Sequence, residues 1–550
     1  MPRFSHRLNS TRRESILVST SPASKVASTV SAWAPMAIPA FRVLWFAQLG
    51  SNIGTWMQTV GAQWYLVDAA AGATVIALVQ TASLAPAMLF SVPAGVLADS
   101  FDRRRLLIWG NGASAVIAVA LTVVAASNLL TPWTLLAFTF LLGVTSALTS
   151  PAWQAIQPEL VPREQIGASS ALGGVTVNGA RAVGPALAGL VLSVAGAPVV
   201  FGINALSFVA AAIALLWWKR APQADLDDRE QFTPALLAGV RYVASAGLIR
   251  RILLRAALFA LPASALWALL PVTAQHLGLD SGGYGLLLGS LGVGAVAGIF
   301  VLPLARRRFS DNVIIAVSPL LFAVGAVAAA YLPFVPALLL LVLSGVAWIG
   351  TLTVLNAALQ LTLPQWVRSR GAAVYIVVFM GTMAIGSLLW GVVAQLIGAS
   401  AALASSAAIL LLVSLSTRVL PLLHGTGTID RTISLTWATP TLIFEPNPSD
   451  GPVLVTFSYT VKPDSIEAFR HAMRAVEKSR RRTGGYRWRL YRSGDHRDLM
   501  LESFIVPSWG EFRRQQTQRL TGADREILGT ALAFSEGAPD ERHYFQTVVD

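Results

Sequence analysis

Arg181 stands about halfway along an apolar stretch at 168–195, with Asn178 one helical turn before it. A full charge at that depth of a membrane costs ~3 kcal/mol or more unless it faces water or a partner. Two chemistries meet that cost. In one, the guanidinium lines a wet cavity and binds an anionic or catecholate-like compound, or moves with a coupling carboxylate. In the other, it forms a structural pair with a neighbouring helix. Polar residues recur in other apolar stretches as Asn52, Gln58, Asn356 and Gln360. As a set they suit a polar-studded cavity, although each singly also serves as an interhelical hydrogen bond. Trp56, Trp64, Trp267 and Trp390 either line an amphipathic pocket or mark interfaces. No Asp or Glu lies in the middle of a stretch, so a proton-titrating carboxylate is sought at the ends. Asp68 is the best placed, against the plainer reading of a solvated loop residue. With no cysteine, the chain has no disulfide, thiolate chemistry or cysteine metal site. No catalytic residue, metal site or cofactor is assigned. There is no phosphate loop of the Gly-x-x-x-x-Gly-Lys type, so any work done must draw on an ion or concentration gradient.

The elements that position these residues follow from composition. Hydrophobic residues make up 54% of the 550 and charged ones 13%, with a mean hydropathy of +0.61, far from a soluble protein. The net charge of +13 is unevenly spread: residues 1–420 hold 24 Lys/Arg and 12 Asp/Glu, residues 421–550 hold 17 and 16. The excess therefore sits in short loops of the apolar part, where it sets topology and argues against a nucleic-acid surface. Apolar runs long enough to cross a bilayer are read at 41–67, 74–98, 105–127, 132–151, 168–195, 198–218, 252–276, 284–305, 312–331, 335–360, 371–397 and 400–419. This predicts an all-α membrane protein of twelve spans, each helical because lipid offers backbone amides no partner. The predicted division is a disordered tail at 1–38, a first six-helix half at 39–218, a linker at 219–250 and a second half at 251–420. A further linker at 421–450 leads to a soluble domain at 451–550. Arg103–Arg105, Arg163, Lys219, Arg220, Arg306–Arg308, Arg368 and Arg370 fall in alternate loops, while the opposite loops carry no Lys or Arg. Positive charge stays inside, so both termini are expected in the cytoplasm of a bacterial inner-membrane protein, with the lipid bilayer as its partner.

The two halves repeat. Ala94-Gly95 and Arg103-Arg104-Arg105 return as Ala297-Gly298 and Arg306-Arg307-Arg308, and Ala155-Ile-Gln returns as Ala358-Leu-Gln, all displaced by 203 residues. Duplicated helix bundles are how many secondary transporters are built. The loop Gly95…Asp99…Arg103-Arg104 resembles that of the major facilitator superfamily, G-x-x-x-D-(R/K)-x-G-(R/K)-(R/K), with Ser100 and Asp102 replacing the usual cation and glycine. The resemblance implies a gating role for Gly95, Asp99, Arg103 and Arg104. Asp99 would latch one closed state and the arginines would anchor the loop at the headgroups, although plain positive-inside anchoring stays open. Residues 151–162 and 178–189 resemble the secretion-effector branch that includes the enterobactin exporters. Gly184, Pro185 and Gly189 match the helix-5 motif G-P-x-x-G-G, with Ala188 in place of one glycine, and imply a bend and tight packing there. The branch implies export of a small-molecule substrate, such as a siderophore or a drug, by alternating access.

After His424 the composition changes. Val453–Val461 alternates as a strand, Asp464–Arg482 has helical spacing, and Tyr486–Arg492 and Leu499–Val506 read as two more strands. Ser508 caps a second helix from Trp509, and Tyr544–Val549 is expected to close the sheet. The order βαββαβ predicts a ferredoxin-like α+β domain. Residues 481–491 with 502–504 and 508–511 resemble the α+β barrels of antibiotic-biosynthesis monooxygenases, which implies dimerisation through this domain. Trp488, Tyr491, His496 and Trp509 form either a small aromatic pocket or core. The alternative function is accordingly a membrane-anchored oxygenase-like enzyme or a ligand-binding protein using the tail.

Overall fold

A computed structural model describes residues 31–220, 242–422, 442–444 and 446–547. Most of the predicted N-terminal tail, most of the central linker and most of the second linker lie outside these residues. The protein is mostly helical, with a small C-terminal sheet. Ten helical segments among the described residues are long and apolar enough to cross a membrane. One of them runs from Arg163 to Trp217 and is broken at Gly196, whose φ of +75° only glycine adopts without strain. The chain reverses there. A Cβ on Gly184 would touch Trp56, and one on Gly54 would touch Asn204. A straight helix would hold 184 and 204 about 30 Å apart. The two arms are α5 (166–195) and α6 (197–217).

Before them come α1 (Pro39–Asp68), α2 (Ala73–Ser100), α3 (Arg103–Ala126) and α4 (Pro132–Ile156). After them come α7 (Gly247–His276), α8 (Ser281–Arg308), α9 (Asp311–Tyr331), α10 (Phe334–Thr362), α11 (Arg368–Ile397) and α12 (Ala399–Leu415). The polar side chains of α1, among them Gln48, Asn52, Gln58 and Gln63, keep this 30-residue helix out of the apolar set. The start of α7 at Gly247 precedes the expected 252, so Arg250 and Arg251 join Arg255 in the helix.

Helices α1, α5 and α6 pack together, α2 packs on α4 and α11, α5 on α8, and α8 on α10. The contact of α5 with α8 is backbone on backbone. A Cβ at Gly189 would lie 2.5 Å from the Ser281 carbonyl, one at Gly285 2.5 Å from the Pro185 carbonyl, and one at Gly292 2.3 Å from Ala182 Cα. Small residues at such crossings let helices associate where lipid removes the usual hydrophobic drive.

In the tail, β1 (Val453–Thr460), β2 (Tyr486–Arg492), β3 (Leu499–Val506) and β4 (Asp540–Phe545) form one antiparallel sheet in the order β2-β3-β1-β4. Helix α13 (Ile466–Thr483) follows β1. Its buried Phe469, Met473 and Val476 recur three and four apart and join Phe457 and Phe504 of the sheet in one core. The closing strand therefore lies four residues earlier than expected. The expected second helix is divided into α14 (Trp509–Arg514), a π turn at Gln515–Arg519 and α15 (Gly522–Leu532). The division falls where Thr521 and Asp524 exchange a capping box that starts a new helix. Trp488 and Trp509 are buried while Tyr491 and His496 are exposed, so the four aromatic residues form no shared pocket.

Candidate functional site

A cavity of about 870 Å³ opens among the first six helices. Its wall carries Asn52 and Gln58 from α1, Asn111 and Ser114 from α3, Gln154 from α4, Gln157 from the turn that follows it, Asn178 from α5 and Asn204 from α6. From the second half Asn356 of α10 alone is among the residues that line it. Trp153 and Gln154 at the end of α4, Gln157 just after it, and Leu107 at the start of α3 carry the wall to the end that holds Arg103–Arg105. The cavity thus reaches the arginine-rich end. Asn204 donates to Gln58 Oε1, and Gln48 donates to Asn52 at 2.9 Å. These pairs hold the amides in fixed orientations while leaving the wall polar.

At the other end the halves are sealed. Gln63 of α1 accepts from Tyr284 of α8 at 2.6 Å and donates to the Trp267 carbonyl of α7 at 3.3 Å. Trp64 stacks on Tyr284 with centroids 5.8 Å apart. Thr74 and Thr81 of α2 donate to the carbonyls of Gly391 and Ala384 on α11 at 3.1 and 3.0 Å. Arg181 lies inside this seal. Its guanidinium carbon stands 5.6 Å from the ring of Trp56 in the first half and 5.9 Å from that of Trp267 in the second. Nη1 reaches Asn178 Oδ1 at 3.5 Å, and Nε is buried without a hydrogen-bond partner. Among the described residues Arg181 makes no ion pair. It is a cation held by π faces of both halves, with donor capacity left over.

The other predicted residues are placed as follows. Asp68 is exposed at the last position of α1, at the arginine-poor end and outside the cavity wall. Gln360 is half-buried on α10. Gly184 meets Trp56 and Gly189 meets Ser281, so helix α5 touches α1 on one side and α8 on the other. Gly95 has open space where a Cβ would stand, and the side chain of Asp99 lies outside the described residues. Arg103 and Arg104, expected to anchor the loop, also engage groups of the chain itself. Arg103 pairs with Glu159 at 2.7 Å, and Arg104 donates to the Leu215 and Leu216 carbonyls at 2.9 and 2.8 Å. An arginine on the last carbonyls of α6 satisfies groups that the helix end leaves open. Glu159 also takes Arg220 at 2.7 Å, and Arg220 reaches Asp102 at 3.1 Å. Burial pushes the Asp102 carboxyl up, but the Arg105 amide and Arg220 outweigh it and hold it below its ordinary value. Sequence reasoning missed the role of Glu159; the available signal was a carboxylate in the loop that follows α4, opposite an arginine-rich loop.

A polar cavity among α1–α6, open at one end and closed at the other by contacts with α7, α8 and α11, suits a membrane transporter of the major facilitator kind. The chain belongs to the transmembrane secretion effector family of that superfamily, whose profile matches residues 30–548. It is 30% identical over 165 residues to the Staphyloferrin A transporter of Staphylococcus aureus (strain NCTC 8325 / PS 47), covering 30% of this chain and 42% of that protein. It is 29% identical over 178 residues to Macrolide efflux protein A of Streptococcus pyogenes, covering 32% and 43%. The chain thus spans less than half the length of these relatives. In three dimensions it is similar to the nucleoside transporter NupG (TM-score 0.53, 14% identity, covering 69% of this chain and 98% of that one). A second likeness is to an inward-facing, unoccupied bacterial homolog of the human lysosomal transporter Spinster (TM-score 0.52, 16% identity, 69% and 94%). These likenesses establish the fold.

Proposed function

We propose that the protein is a secondary active exporter of small amphipathic compounds, siderophores or drugs among them, working by alternating access across a bacterial inner membrane. The observation that carries this is the polar cavity, reaching one membrane face and sealed from the other by contacts that join the two halves. The relatives' names, a siderophore transporter and a macrolide efflux protein, support the substrate class. Twelve spans in two six-helix repeats, with α5 and α6 counted apart and α1 included, suit rocking of the halves about a site near the midplane. The arginine-rich end is the cytoplasmic one on this reading, with both termini inside. Asn178, Asn52, Gln58 and Asn356 contact the polar groups of the substrate, and Arg181, in the seal beside Asn178 and not in the cavity wall, receives its anionic part as the seal opens. Gln360 and Asp68 stand apart from that set. Export runs on the proton gradient. In the tail, the antiparallel order β2-β3-β1-β4 supports a ferredoxin-like domain, through which two copies associate. Family and relatives are transporters, which sets the enzyme reading aside.

Metabolite profiling of deletion and complemented cells, inside and outside, with and without a protonophore, tests the proposal. It expects a compound retained by the deletion strain and exported by complemented cells only while the gradient stands. Arg181→Ala is expected to abolish that export at unchanged protein abundance. Export by this variant at the parental rate would remove Arg181 from the site, and equal profiles in iron-poor and drug-challenged growth would contradict export.

A further inference from the structure

The tail contains a groove that the cavity of α1–α6 does not use. It runs between α13 and the edge strand β2 and encloses about 590 Å³, a volume typical of small-molecule sites. Its floor is apolar: Trp488 and Met500 are buried, and Leu490 is half-buried. Its walls are cationic. Five arginines line it against two glutamates. Glu467 pairs with Arg470 at 2.5 Å and Glu477 with Arg481 at 2.7 Å. Arg474, Arg489 and Arg492 are left without a carboxylate among the described residues, and all three are exposed.

Cations on a helix surface are ordinary, but this strand is not. Between Tyr486 and Arg489 the ladder to β3 slips, so that three steps on β2 face two on β3. Arg487 inside the slip has a φ of +51°, a left-handed conformation that costs a non-glycine residue about 1 kcal/mol or more. Bulges of this kind re-aim side chains next to sites. Here the bulge turns Trp488 inward, where its Nε1 donates to Glu502 at 2.8 Å. Glu502 is fully buried and is held in turn by Tyr459 at 2.7 Å and Arg480 at 3.1 Å. Arg489 lies back on the Trp488 carbonyl at 3.0 Å. A buried network and a strained backbone thus fix the floor of a groove whose rim offers three uncompensated guanidiniums.

We propose that this groove binds a small soluble polyanion, with carboxylate or phosphate groups carried on an apolar or aromatic body. The anionic groups take Arg474, Arg489 and Arg492 through charge-assisted, paired hydrogen bonds, and the body covers Leu490 and the edge of Trp488. The site is separate from the transport cavity and does not depend on the reading of that cavity.

The test uses the full-length protein in an uncharged detergent at low ionic strength, titrated calorimetrically with benzene-1,3,5-tricarboxylate. Neutral benzene-1,3,5-trimethanol is the control. One tricarboxylate is expected to bind per chain, and the triol none. The double variant Arg474→Glu/Arg489→Glu is expected to weaken binding at least tenfold. Leu490→Trp, which fills the groove at unchanged charge, is expected to abolish it. Arg181→Ala in the membrane part is expected to leave it unchanged. No binding by the unaltered protein, or full binding by both groove variants, overturns the proposal. Displacement of the tricarboxylate by added phosphatidylglycerol would assign the groove to lipid headgroups and overturn the soluble ligand.

Discussion

The two halves share a repeat but differ in what fills them. In the first, polar side chains from α1, α3, α4, α5 and α6 face an open cavity. In the second, aromatic rings close the interior: Trp348 on α10 packs against Phe259, Trp267, Phe322 and Phe379 with centroids 5.2 to 6.0 Å apart. Burial follows the same division. Helix α7 is largely buried, whereas most of α3 is not. The capping arginines differ as well. Arg104 of α3 holds the carbonyl end of α6, whereas Arg255 of α7, 2% exposed, holds that of α12 through Val413, Ser416 and Leu420. Helices α1–α6 thus carry a polar wall, and α7, α9, α10 and α11 a packed aromatic interior.

Three substitutions sharpen the contrast. Trp348→Ala empties the centre of the aromatic cluster and is expected to cost about 3–5 kcal/mol, read as thermal stability in detergent. A loss similar to that from removing a cavity amide in the first half would erase the distinction between packed body and open wall. Glu159→Gln is expected to cost about 1–3 kcal/mol, because it leaves Arg103 and Arg220 facing a neutral amide at the arginine-rich end of the first half. Its counterpart in the second half, Asp311→Ala, removes the partner of Arg306 at 3.0 Å, where the side chains are 33% and 41% exposed. That pair is worth under about 0.5 kcal/mol, so equal effects from the two substitutions would contradict the account.

The smallest effect is a pH dependence. Asp102 is held below its ordinary 3.8, so its contribution is present above that value and is lost as pH falls through the folded-state pKa. Melting followed from pH 6 to pH 3 should therefore show a slightly smaller acid loss for Asp102→Asn than for the unaltered chain.

How much of this the sequence carried depends on the kind of signal. Spans show in hydropathy, because lipid demands about 20 apolar residues in a row. The duplication shows as a constant offset. The polar wall was legible in part, since Asn52, Gln58, Asn178 and Asn356 are amides within apolar runs that do face the cavity. Gln360, four residues from Asn356, carries the same signal, yet the residues that line the cavity do not include it, because its position on the helix depends on packing that no single run encodes. The same holds for the arginines. Positive-inside counting registers Arg103 and Arg104 as charges, but their partners Glu159 and Leu215 lie 56 and 111 residues away. In the tail, alternation located β1, β2 and β3, while the early start of β4 and the break at Thr521 follow from sheet register and capping.

The central claim is a cavity open at the arginine-rich end, which the account makes cytoplasmic, and sealed at the other. The cysteine-free chain allows it to be measured with a thiol at Asn178 in the wall and a disulfide between Thr81→Cys and Ala384→Cys, which meet across the seal where the Thr81 hydroxyl donates to the Ala384 carbonyl at 3.0 Å. In sided membrane vesicles, with the bond formed, the account predicts that an impermeant maleimide labels Asn178→Cys from the cytoplasmic face alone. Labelling from the opposite face would contradict it.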